Sequence, residues 1–236
     1  MSKHLKRITM PTTWPMQRKG SKFVTKPNPG PHSLKYGLSL GSLLKEILGY
    51  AENSVEIKHI LNQGLVTVDG KKRADPKFPV GLMDVIKNEK TGEGYRVLLN
   101  TKAKLCLVPI PKDEFSVKPC KIVRKTMISG KKLQVTLHDG RNLLADNAEY
   151  KVGDTIMIHL PDGEPKGHFR LGKGAFAIII NGKHTGEYGV IEEIIGKESI
   201  EKTRIMLKTK EEEFETLTEY AFVIGEGKPA ITMKEN

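Results

Sequence analysis

The run Ser54-Val-Glu-Ile-Lys-His-Ile-Leu-Asn-Gln-Gly-Leu-Val-Thr-Val-Asp-Gly-Lys-Lys-Arg73 decides how this chain folds. Ile57, Ile60 and Leu61 recur at helical spacing, which predicts a short helix from about Ser54 to Gln63. Ser54 is expected to cap its start, and Gly64 to supply a left-handed residue at its end. Leu65-Val-Thr-Val68 then alternates like a strand, and Asp69-Gly70 is a tight-turn signal leading into Lys71-Lys-Arg73. The outer side of the helix shows Lys58, His59, Asn62 and Gln63, all hydrogen-bonding and none acidic.

On the amino-terminal side, Leu40, Leu43, Leu44, Ile47 and Leu48 follow the stripe of an amphipathic helix, with Ser39 as cap and Gly49 near the end. On the other side, Pro76 and Pro79 punctuate an extended segment that leads into Val80-Gly-Leu-Met-Asp-Val-Ile86. Helix, helix, strand, turn, basic triplet and strand make a unit of about fifty residues. The first forty-five residues carry nine Lys/Arg and no Asp or Glu, with five prolines from Pro11 to Pro31. Residues 1–37 lack periodicity and are expected to form an extended basic arm that gains its order on a polyanion, with Trp14 and Phe23 packed on nucleotides or on the protein's own domains.

From Tyr95 to about Ile158, short β-rich runs alternate with turn signals at Ser129-Gly130, Asp139-Gly140, Gly153-Asp154 and Asp162-Gly163, as in a small all-β domain. Four or five further strands between Gly174 and Ile224 suggest a small barrel. The expected class is multidomain α+β: a basic arm at 1–37, a helix-helix-strand domain at 38–92, a central β domain at 93–170 and a barrel at 171–236.

The net charge of +11 and pI near 9.5 point to a polyanionic partner. The charge is uneven, since residues 187–236 hold twelve acidic and seven basic residues. Cys106 and Cys120 lack the spacing of a zinc site and are expected to be reduced thiols. No apolar run reaches the ~20 residues that span a bilayer, and no apolar leader opens the chain, so a cytoplasmic protein without a membrane partner is expected. Glu192-Glu193 and Glu211-Glu-Glu213 read as solvated faces, and His138-Asp139-Gly140 as a turn. Gly172-Lys173-Gly174 lacks phosphate-loop spacing. No catalytic residue, cofactor, metal or small-molecule substrate is expected.

The helix-helix-strand unit resembles the RNA-binding module named after bacterial ribosomal protein S-four. That resemblance implies RNA contacts from Lys58, His59, Asn62, Gln63, Lys71, Lys72 and Arg73. Ile180-Asn-Gly182-Lys-His-Thr-Gly186-Glu-Tyr-Gly189-Val-Ile191 resembles a KOW motif, the strand-loop-strand element of several ribosomal proteins. Glu187 stands there where a basic residue is usual, and a carboxylate repels phosphate, so this loop is set aside as an RNA contact. The chain as a whole resembles the archaeal and eukaryotic small-subunit ribosomal protein family called S-four-e. The matching pieces are His4-Leu-Lys-Arg7 with Pro11 and Trp14, Lys22-Phe23, Pro29-Gly-Pro-His32, Val68-Asp-Gly-Lys71, Gly81-Leu-Met-Asp-Val-Ile86, Lys90-Thr-Gly92, Tyr95-Arg96 and Phe222-Val-Ile-Gly225. Its length looks more like the archaeal form.

Asn100-Thr-Lys-Ala103 departs from the family's Asp-Thr-Lys-Gly, and Asn181-Gly182 from a Gly-Gly pair. The resemblance implies a structural constituent of the small ribosomal subunit, with small-subunit rRNA and neighbouring small-subunit proteins as partners. It adds Lys3, His4, Lys6, Arg7, Trp14, Arg18, Lys19, Lys22, Lys26, His32 and Lys35 as rRNA contacts. The alternatives are an RNA-modifying enzyme, since S-four-like modules occur fused to pseudouridine synthases, and a free-standing KOW-type factor.

Overall fold

The computed structural model describes residues 4–128, 130, 132–145, 149–196, 203–209 and 212–233. Lys3, Ser129 and Glu211 lie outside them. The chain forms two compact units, one from residues 1–98 with 104–116 and the other from 99–103 with 117–236.

The first unit corrects the expectation that the arm gains its order on a polyanion, and of the two placements expected for Trp14 it takes the one on the protein's own domain. β1 (Leu5–Lys6) and β2 (Phe23–Val24) pair antiparallel, and Met10, Trp14, Met16 and Val24 are buried. The indole N–H of Trp14 donates to the carbonyls of Gly37 (3.0 Å) and Leu34 (3.2 Å), so the ring enters the core without an orphaned donor. Leu105 N–H donates to the Thr13 carbonyl at 2.7 Å. This segment has enough apolar surface, and enough partners, to order without a polyanion.

β3 (Gly37–Ser39) leads into α1 (Leu40–Ser42), where Ser39 Oγ accepts from Ser42 N–H as the cap reading expects. The helix does not stay α-helical. It widens at Leu43–Ile47 into a π-turn, marked by the Leu48 N–H to Leu43 carbonyl bond of 3.0 Å. α2 (Ser54–Asn62) is capped one residue earlier than expected, because Asn53 Oδ1 accepts from Val55 and Glu56 N–H, both at 3.0 Å.

β4 (Val66–Val68) and β5 (Lys71–Lys72) flank Asp69-Gly70, whose φ values of 51° and 72° suit a primed hairpin turn. β6 (Pro79–Gly81) pairs with β3. β7 (Val85–Asn88), β8 (Gly94–Leu99) and β9 (Leu105–Pro109) complete a five-stranded sheet in the order β5-β4-β7-β8-β9. Thus β8 and β9, which open the expected central β segment, pair into the sheet of the helical module. The fully buried Arg96 pairs with Glu114 at 2.5 Å, and Gly94 lies so close to the Phe115 ring that a side chain there would collide.

In the second unit, β10 (Val117–Met127), β11 (Leu133–Leu137), β12 (Asn142–Ala145), β13 (Thr155–His159) and β14 (Pro165–Phe169) form an antiparallel sheet ordered β12-β11-β10-β13-β14. A second antiparallel sheet holds β15 (Ala175–Ile179), β16 (Tyr188–Ile195), β17 (Arg204–Lys208), β18 (Glu213–Leu217) and β19 (Ala221–Glu226), in the order β18-β17-β16-β15-β19. Ala177, Ile179, Ile191, Ile205, Leu207 and Val223 fill its core. Lys121 of β10 reaches this second sheet, its ammonium donating to the carbonyls of Glu219 (2.7 Å) and Ala221 (2.5 Å).

The departure at Asn100–Ala103 still makes a turn. Asn100 Oδ1 accepts from Lys102 N–H at 3.0 Å, and Ala103 takes a left-handed φ of 55°. An L-residue pays for that conformation where glycine does not, so Ala103→Gly should raise stability by about 1 kcal/mol. Equilibrium urea unfolding measures it, and a loss of stability would count against the turn. Burial lowers the pKa of Lys121 from 10.5 to about 8, so between those values the unfolded chain binds more protons than the folded one. The cost of the buried charge is therefore complete below pH 8 and fades as pH rises towards 10.5. The unfolding free energy of the wild type should gain on that of Lys121→Met by up to about 3 kcal/mol over this window, in parallel chemical-denaturation series.

Candidate nucleic-acid interface

The amphipathic spacing of α2 buries Ile57 and Leu61 and turns Lys58, His59, Asn62 and Gln63 outward, all exposed. The Gln63 side-chain amide lies 2.7 Å from His59 Nε2, which holds both side chains on one side of the helix. Gly64 ends the helix with a φ of 66°, and a Cβ placed there would lie 3.2 Å from Lys72 Cδ. The aliphatic stem of Lys72 therefore runs beside the end of α2. Helix face and hairpin turn are neighbours, as the sequence implies. Lys71 and Lys72 are exposed, while the guanidinium of Arg73 lies 4.3 Å from the centre of the Phe78 ring.

The acid of this turn is used internally. Asp69 is buried, and its Oδ1 accepts from Val85 N–H at 3.1 Å. The nearby Asp75 accepts from the Asn28 amide and from Lys77 N–H, both at 2.8 Å. Burial takes the Asp69 carboxylate away from the surface that Lys71 and Lys72 present, whereas Asp75 stays exposed.

The arm divides into two groups. His4, Lys6, Arg18, Lys19, Lys22 and Lys35 are exposed and Lys26 is half-buried, so all can meet a polyanion. Lys22 and Lys35 rest over the rings of Phe23 (5.6 Å) and Tyr36 (5.1 Å). Arg7, Trp14 and His32 are corrections to the expected contact set. Arg7 is buried, pairs with Glu46 and donates to the Gln17 carbonyl at 2.8 Å. Trp14 is 1% exposed and presents no ring to stack on a base. The His32 side chain is 3% exposed and lies 2.8 Å from Asp84 Oδ1. Their partners stand 39 and 52 residues away for Arg7 and His32, beyond the reach of any local pattern.

In the glycine-rich loop, His184 stacks on Phe214 at 3.9 Å and lies 3.2 Å from Glu187. A side chain at Gly186 would collide with the Asn100 carbonyl. This loop is packed rather than presented. Cys120, His138 and Asp139 come close enough to share a metal ion, but Asp139 already faces Lys118 and Arg141, each at 3.2 Å. Two cations on the only carboxylate of the group make it a poor cation site.

Three segments match known families: residues 1–35 the RS4NT (NUC023) domain, residues 44–86 the S4 domain, and residues 91–165 Ribosomal family S4e. Small ribosomal subunit protein eS4 of Methanocella arvoryzae is 41% identical, over 97% of this chain and 96% of that protein. The chain belongs to the S4e family. The eS4 protein of Methanothermobacter thermautotrophicus is 40% identical over 98% of this chain and 96% of its own. The crystal structure of 30S ribosomal protein S4e from Thermoplasma acidophilum superimposes with a TM-score of 0.71 at 33% identity, covering 82% of this chain and 97% of that one. In this S4e family member the S4 domain match begins after α1 and takes in α2 and the basic hairpin, and the RS4NT match covers most of the arm.

Trp14 is the chain's single tryptophan, so its fluorescence reports on the arm alone. The RNA-free protein should show short-wavelength emission and resist iodide quenching, with both properties lost on denaturation. Solvent-like emission from the native protein would mean that the arm is unpacked.

Proposed function

We propose that the protein is a structural constituent of the small ribosomal subunit, and that it binds and stabilises small-subunit rRNA during assembly and translation in the cytoplasm. The observation that carries this reading is the continuous surface of α2 and the β4–β5 turn, where exposed cations and neutral hydrogen-bonding groups adjoin and the local Asp69 is turned inward. Lys58, Lys71, Lys72 and Arg73 neutralise phosphates, and His59, Asn62 and Gln63 bond riboses or base edges. Exposed lysines of the arm extend the same footprint. The two helices with the hairpin act as the S-four-like module, and β15–β19 act as the KOW or SH3-like part. The acidic carboxyl-terminal end turns towards neighbouring small-subunit proteins. The S4e family consists of ribosomal proteins, and neither an RNA-modifying enzyme nor a free-standing factor is favoured by any feature of the chain.

Each phosphate neutralised releases condensed counterions, which makes affinity steeply salt-dependent. Replacing Lys71, Lys72 and Arg73 together by Glu should weaken rRNA binding and lower the slope of log K against log salt by about 2, at roughly 0.7–0.9 per phosphate. Filter binding across a salt series measures this, and an unchanged slope would mean that the turn faces solvent or protein. The tagged wild type should also sediment with small subunits in sucrose gradients. Persistent migration with free protein would sink the ribosomal reading.

A further inference from the structure

We propose that the outer face of β10, β11 and β12 is a second RNA-binding surface, which takes the sugar-phosphate backbone of folded rRNA and seats an unpaired nucleotide against Leu144. The proposal rests on the ribosomal reading above but uses none of its residues.

A second acid-free run motivates it. From Phe115 to His138 the chain contains six Lys/Arg and no Asp or Glu. β10, β11 and β12 lack acidic residues altogether. Strand register then decides which side chains share a face, because paired residues and every second residue along a strand point the same way. Arg124, Thr136 and Asn142 form one cross-strand row, and Thr126, Gln134 and Leu144 the next. The Ile128 N–H to Lys132 carbonyl bond of 2.9 Å carries the pairing further and places Lys132 beyond Gln134 on the same side. Val135 points the other way and is fully buried, so the rows with Arg124 and Leu144 face outward. Arg124, Lys132 and Asn142 are exposed, and Leu144 is 64% exposed. The carboxylate in the following turn, Asp139, is buried between Lys118 and Arg141.

The other sheet of the same unit shows what a self-neutralised face looks like. There Lys208 meets Glu192 at 3.0 Å and Glu213 at 2.7 Å, and Arg204 meets Glu215 at 3.3 Å. Among the described residues the β10–β12 face has no such acids to offer its cations, and a polyanion supplies them. Between the cations lie neutral donors and acceptors of the kind that bond ribose hydroxyls and base edges, on a sheet open enough for a splayed base. Protein interfaces favour Tyr, Trp and Phe and are poor in Lys at their centre, whereas this face has no aromatic side chain. RNA fits it better than a protein partner.

Binding of full-length protein to purified small-subunit rRNA across a salt series tests the proposal with two variants. Arg124→Glu with Lys132→Glu should weaken binding at least about tenfold at physiological salt and lower the slope of log K against log salt by about 1.4–1.8, for two lost phosphates. Leu144→Ser should weaken binding several-fold and leave the slope unaltered. Both sets of changes are at exposed positions and should leave thermal melting unchanged. Wild-type binding with both variants indistinguishable from it would overturn this surface while leaving the ribosomal reading intact. Unaltered rRNA binding with lost sedimentation on assembled subunits would assign the face to a protein neighbour and equally overturn the RNA assignment. A wild type that fails to bind rRNA at all would overturn both readings.

Discussion

The amino-terminal third of the chain depends on where the indole of Trp14 sits. A buried Trp is worth several kcal/mol to a core, about 3–5 when truncated to Ala, but its N–H must be bonded or that gain is forfeited. The carbonyls of Leu34 and Gly37 satisfy it, and both lie just before the first helix. The same segment is pinned again by Arg7 on Glu46 and by Thr13 on the backbone of Leu105. The basic residues of the arm are thus mounted on a folded support, so less ordering entropy opposes their contact with RNA.

A second constraint concerns acids rather than bases. Asp69, Asp84, Asp139 and Asp154 are all buried, each accepting hydrogen bonds from backbone or facing a cation or imidazole. Asp154, for example, accepts from Lys151 and Leu171 N–H and lies 2.9 Å from His168. Buried carboxylates are costly unless partnered so fully, and here the partnering has an outward effect. These four carboxylates are drawn into the turns and sheet corners, while Lys58, Lys71, Lys72 and most lysines of the arm remain at the surface. Glu192 of β16 and Glu213 and Glu215 of β18 are paired with Lys208 and Arg204 of β17.

What was legible in the sequence was local. Asp69-Gly70, the left-handed Gly64, the Ser39 cap and the outward face of α2 follow from spacing and turn chemistry over a few residues. The shift of the α2 cap to Asn53 is a one-residue choice between adjacent capping residues. The π-turn at Leu43–Ile47 hides because Leu43, Leu44, Ile47 and Leu48 fit an α-helical stripe equally well. Strand pairing was the largest gap: β8 and β9 read as members of a later β domain, yet they pair into the sheet of the helical module. The structural roles of Arg7 and His32 escaped for the same reason, since Glu46 and Asp84 are distant in sequence. An acid-free basic stretch signals a polyanion, but it does not say which of its cations are already engaged.

The lysine that joins the two sheets of the second unit has carbonyl partners instead of carboxylates. Carbonyl dipoles in a dry interior are shielded from mobile ions, so added salt barely weakens this junction. The ionic strength that would release such a protein from nucleic acid therefore leaves the tie between its own sheets in place. At this junction, detachment from nucleic acid and loss of structure are separate events.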